Sequence, residues 1–136
     1  MGLKNTELLT LISDEMLKGT HMHDKLALTT NPAGMRLIAQ MTLYNASNWE
    51  RLHRYIADSY ADALLIAASV KDRLGVFTAD QQTLGRLKVG QVLALDKYHV
   101  VVLMQSEVGE VLQIHDLTVE EEHPHKITDY KRYAIA

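Results

Sequence analysis

Seven histidines in a chain of 136 residues with no cysteine make imidazole the first group to weigh as a metal ligand. Four of them form two close sets, His21-Met22-His23-Asp24 and His123-Pro124-His125. Neither set has the i, i+4 spacing that puts two rings on one helix face, nor a third ligand at a motif distance. An i, i+2 pair on a strand would share a face, but Pro124 bends the chain between its two histidines. Surface histidines are therefore expected, with no metal and no cofactor. Nucleophilic chemistry is no better served. Ser13, Ser47, Ser59, Ser69 and Ser106 all lack a lysine three residues later, and no Gly-x-Ser-x-Gly elbow occurs. Glu120-Glu121-Glu122 places three like charges beside a strand end, which deters edge-to-edge pairing.

The elements that would hold any such groups are bounded by composition. At 136 residues, 47% hydrophobic and 23% charged, the chain is expected to fold as one soluble domain with a substantial core. A net charge of −3 gives no general attraction to nucleic acid or to an anionic membrane. Ser13, Asp14 and Glu15 interrupt the N-terminal apolar stretch, so no signal peptide is read there. The longest apolar run, Ala63 to Ala68, is far below the roughly 18 to 20 residues of a membrane span. Absence of cysteine suits a reducing compartment, and a cytoplasmic location is expected.

Pattern divides the chain into helices first and strands last. Leu8, Leu9, Leu11, Ile12, Met16 and Leu17 suggest an amphipathic helix over about residues 5 to 18, ended by Gly19, with Thr20 to Thr30 as a link. Asn31-Pro32 opens the main helix, Asn31 as cap and Pro32 at the first helical position. Its face carries Met35, Ile38 and Met41 up to about Tyr44. Ser47 and Glu50 match a capping box, and an apolar stripe from Leu52 through Leu74 is expected to stop at Gly75. A short helix from Thr78 to Gly85 follows. From Leu87 the pattern is β. Leu87 and Val89 share a face, with Val92 and Ala94 opposite. His99 to Met104 reads as a central strand buried on both faces, and residues 107 to 110 as a hairpin turn. Leu112 and Ile114 on one face, against Leu117 and Val119 on the other, suggest a bulge near His115-Asp116. The last strand is Ile127 to Ile135. The expected class is α+β, with N-terminal helices packed on a curved antiparallel sheet that forms a cone able to admit a small molecule.

Two segments carry a family resemblance. Asn31-Pro32-Ala33-Gly34 leads into a helix ending Leu43-Tyr44-Asn45-Ala46-Ser47-Asn48-Trp49, and the chain closes on Val119 to Ile127 with Pro124-His125-Lys126-Ile127. This resembles the nuclear-transport-factor-two-like (cystatin-like, polyketide-cyclase-like) superfamily, in particular a small domain found alone or ahead of β-lactamase-type serine hydrolases. The resemblance covers residues 31 to 136 and leaves residues 1 to 30 as a helical extension. The hydrolase motif is absent, so the domain is expected to work alone or with a separate partner.

Enzymes of that superfamily set a desolvated carboxylate or histidine in the cone wall as a general acid or base. By that resemblance the pocket candidates are His99, His115, Asp116, Asp129 and the phenols of Tyr44, Tyr55, Tyr60 and Tyr130. The diagnostic Tyr–Asp–Asp or Asp–Arg–Asp orders of its isomerases and epoxide hydrolases do not occur, so no catalytic residue is assigned. The expected function is a non-enzymatic domain binding a hydrophobic small molecule or a protein. The alternative is an isomerase, cyclase or hydrolase working in the same pocket. Leu8, Ile12 and Met16 on one helical face, with the sheet's open face, lead to an expected homodimer.

Overall fold

A computed structural model describes Met16, Leu17, Gly19, Thr20 and residues 22–135. Leu8, Ile12 and most of the helix expected over residues 5 to 18 lie outside these described residues. Met16 and Leu17 are buried in the chain's own core, and the Val89 amide donates to the Met16 carbonyl at 3.0 Å. Met16 is thus not free to cover a neighbouring subunit.

Among the described residues five helices precede a four-stranded antiparallel sheet, so the class is α+β. They are α1 (Met22–Thr30), α2 (Pro32–Asn45), α3 (Trp49–Ser59), α4 (Asp62–Ala67) and α5 (Val70–Leu84). The strands are β1 (Leu87–Asp96), β2 (His99–Ser106), β3 (Leu112–Val119) and β4 (Ile127–Ala134), paired in sequence order as a meander. None of the helices is long and apolar enough to cross a membrane.

The central helix is α2. Asn31 holds an extended backbone and accepts from the Gly34 amide at 3.0 Å, and Pro32 fills the first position. Leu37, Ile38, Met41 and Tyr44 are wholly buried at helical spacing. Helix α2 touches α1, α3 and α5 and lies on β2 and β3. Gly34 permits the close approach of α1: a Cβ there would lie 2.8 Å from the backbone of Leu28. The stretch read as a link is therefore a helix, α1. It was hidden because only Leu28 on it is fully buried.

Helix boundaries after α2 differ from the sequence reading. Asn48, not Ser47, caps α3 by accepting from Arg51 N at 3.3 Å, while Ser47 adopts φ 53° and donates to Gln81 Oε1 at 2.7 Å. The stripe expected to run to Gly75 is cut twice. Tyr60 turns extended and bridges Ile127 in parallel, with Ala61 N donating to Ile127 O at 2.8 Å. Ser69 then caps α5 by accepting from Asp72 N at 3.1 Å, and that helix passes through Gly75 and Thr78 without a break. It ends at Gly85, whose φ of 70° is available to glycine at little cost.

On the sheet, Val100, Val102 and Met104 of β2 and Leu117 and Val119 of β3 meet the helices. Val101, Leu103 and Ile114 face outward and stay half-buried, so β2 is central but not buried on both sides. The bulge expected at His115-Asp116 is absent. Odd positions of β3 face in and even ones out throughout, which plain alternation achieves. Register shifts fall instead between Val89 and Gln91, between Val92 and Ala94, and at Thr118/Val119. The first of these, at Gly90, returns Val92 to the core side.

Candidate functional site

Between the helices and β4 lies a cavity of about 200 Å³. Tyr60 and Ala68 supply one side, Asp72, Arg73, Val76 and Phe77 of α5 a second, and Tyr130 and Arg132 of β4 the third. The breaks at Tyr60 and Ala68 make this possible, because a continuous helix would carry Tyr60 past the sheet rather than onto Ile127. Tyr130 and Arg132 lie two apart on one strand and so share its inner face. Phe77 stacks on Tyr130 at 6.3 Å between centroids and 22° between planes.

Behind the aromatic wall runs a chain of polar side chains. Tyr60 donates its hydroxyl proton to Gln40 Oε1. The Tyr130 hydroxyl lies 2.8 Å from His115 Nδ1, and His115 Nε2 lies 3.1 Å from Gln113 Oε1. The Gln113 oxygen is an acceptor, so Nε2 carries the imidazole proton and Nδ1 accepts from Tyr130. His115 is wholly buried, and burial, then the Arg132 charge, pushes its pKa down to about 3. Burial likewise raises the Tyr60 and Tyr130 phenols well above their ordinary range. The network is therefore neutral at physiological pH, and both phenol protons are committed inward. Gln40 Nε2 is buried without a hydrogen-bond partner among the described residues.

Two guanidinium groups line the cavity in different states. Arg132 is ion-paired with Asp80 and lies over Phe77 at 4.9 Å. Arg73 donates from Nε to Ala68 O at 3.0 Å and from Nη2 to Leu64 O at 2.7 Å, and its guanidinium sits 5.1 Å over the Tyr60 ring.

The residues proposed from sequence are distributed unevenly around this cavity. Tyr60 and Tyr130 line it, and His115 stands directly behind Tyr130. Tyr44 is buried nearby, edge-on to Phe77, but its hydroxyl donates to Gly85 O at 2.8 Å, and burial lifts its pKa to about 12. Tyr55 donates to Arg36 O at 2.7 Å between α2 and α3, away from the cavity lining, and burial pushes its pKa up to about 12. His99 and Asp116 form a 2.6 Å pair on the outer face of the sheet, and Asp129 pairs there with Lys131 at 3.2 Å.

Arg73, Arg132, Phe77, Gln40 and Asp80 were not singled out from sequence. Alternation from Tyr130 identifies Arg132, and the spacing Leu37–Gln40–Met41–Tyr44 puts Gln40 on the buried face of α2. Arg73 carried no such signal, because its place depends on the Ser69 break. His123 and His125 meet edge to face on the turn before β4, and His125 Nδ1–H donates to Glu120 O at 2.9 Å. Among the described residues no group of three or more His, Cys, Asp or Glu side chains is arranged to hold a metal ion. No protein-family model matches the chain, and no curated protein or solved structure matches it.

Proposed function

We propose that this chain is a non-catalytic binding domain for a small, largely apolar molecule seated between α5 and β4. The inward commitment of both phenol protons carries this reading. A general acid in the cavity wall needs a proton to offer, and the Tyr60 and Tyr130 protons are spent on Gln40 and His115. What remains toward the cavity is aromatic ring, Val76 and Ala68, two guanidinium groups and the solvent-exposed carboxylate of Asp72, a surface suited to holding rather than transforming. At about 200 Å³ the space is below the roughly 300–1,000 Å³ of drug-sized pockets, so the guest is small. The helices-then-sheet order agrees with the nuclear-transport-factor-two-like resemblance, which we keep as the family proposal.

A thermal-shift screen of small apolar compounds tests this, with Ala68→Trp as the blocked control. Stabilisation by a compound in the native chain and none in the control supports the reading. Equal shifts in both would defeat it. The rival reading, an isomerase, cyclase or hydrolase acting on a hydrophobic small molecule, draws on the Tyr130–His115 contact. It requires turnover of a bound compound that Tyr130→Phe abolishes.

A further inference from the structure

We infer that the guest carries a carboxylate, and that Arg73 is the residue that selects it; this rests on the cavity being a binding site. The lining holds two cations, but they are not equivalent. Arg132 is neutralised by Asp80. Arg73 has only neutral carbonyl partners, Ala68 O and Leu64 O, and no carboxylate among the described residues. Those two bonds use the Nε/Nη2 edge of the guanidinium. Three of its five N–H groups remain, including both of those on Nη1, so the Nη1/Nη2 edge is left for a ligand. That edge matches a carboxylate in two parallel hydrogen bonds, which are charge-assisted and directional.

The rest of the cavity fixes the remainder of the guest. One unneutralised cation suits a monoanion better than a doubly charged phosphate. Val76 offers exposed apolar surface to the body of the guest, with the nearly buried edges of Phe77 and Tyr60 behind it. Arg73 itself is fixed by its carbonyl bonds and by Tyr60 beneath it, so little rotamer freedom is lost on binding. Asp72 also lines the space, yet it is solvent-exposed, and its charge is screened more than that of a buried group.

Isothermal titration of the full chain with matched pairs tests this: phenylacetate against phenylacetamide, and hexanoate against hexanamide, with hexanol as the apolar reference. The acids are expected to bind about tenfold more tightly than their amides, a preference lost in Arg73→Met and halved on a logarithmic scale in Arg73→Lys. Arg73→Met also frees the Leu64 and Ala68 carbonyls, so the second variant is Asp72→Asn, which leaves both Arg73 bonds in place and removes one lining charge. It should tighten the acids about threefold and leave the amides unchanged. Amides or hexanol binding as well as the acids would overturn carboxylate selection while the cavity reading stands. No binding by any probe would overturn both.

Discussion

Tyr130 and His115 sit on adjacent strands, two residues apart in register, with the phenol oxygen 2.8 Å from the imidazole Nδ1. The contact joins a ring in the cavity wall to a histidine that has no access to water. Burial, then the Arg132 charge, leaves His115 neutral, and several measurable consequences come from that.

Acid should weaken the fold through His115. The imidazole titrates near 6.5 when exposed and at about 3 in the folded chain, so between those values the unfolded state binds a proton that the folded state refuses. The stabilisation is complete above about pH 6.5 and drains as pH falls toward 3, by up to about 1.4 kcal/mol per pH unit. Urea midpoints at pH 7 and pH 5 should therefore separate more in the native chain than in His115→Gln. Equal separations would refute the assignment.

Tyr130→Phe keeps the stacking on Phe77 and deletes the donor to His115 Nδ1. A buried acceptor left unpaired costs about 1–3 kcal/mol, so denaturant unfolding should register a loss of that order. The imidazole resonances of His115 should shift at the same time.

Gln40 and Tyr60 form a pair whose partial removal is worse than its full removal. Tyr60→Phe alone strips the bond from Gln40 Oε1, and Gln40→Leu alone strands the Tyr60 hydroxyl, each for about 1–3 kcal/mol. The double variant also discards the unpartnered Nε2, and should be less destabilised than the sum of the singles. A double-mutant cycle in urea measures this coupling. Strict additivity would show the bond is not formed in solution.

Two helical glycines should respond to alanine with opposite signs. At Gly75 a new Cβ meets nothing within 4 Å, so Gly75→Ala should stabilise by roughly 0.5–1 kcal/mol through helix propensity. At Gly34 the new atom lies 2.8 Å from the Leu28 backbone, which cannot rotate away. Overpacking of about 1–3 kcal/mol exceeds the propensity gain there, so Gly34→Ala should lower the melting temperature.

Local chemistry was what made the fold legible. Asn31-Pro32 announces α2, and the order of helices before strands is readable. A β2 buried on both faces and a bulge in β3 are expected, however, where the structure has plain alternation in both strands. The Ser69 break was not read, because Leu64, Leu65 and Leu74 continue one apolar stripe across it and Gly75 looked like the stronger stop. An exposed glycine costs a helix only about 1 kcal/mol, and α5 absorbs it. At the cavity, Tyr60, His115 and Tyr130 were named from sequence, but Tyr44, Tyr55 and His99 were named with them. Residue type cannot separate these groups. Their placement depends on which strand face and which helix break each occupies, and those are set by contacts between distant segments.

Tyr60 and Ile127 meet through one parallel bridge, tightened by Ala61 N–H on the Ile127 carbonyl. That stitch ties the corner between two helices to the outermost strand, and it closes a long stretch of chain. A nascent polypeptide halted before residue 127 would own its helices and three strands yet lack the wall that Tyr130 and Arg132 give the cavity. The cavity takes shape all at once, with the closing strand.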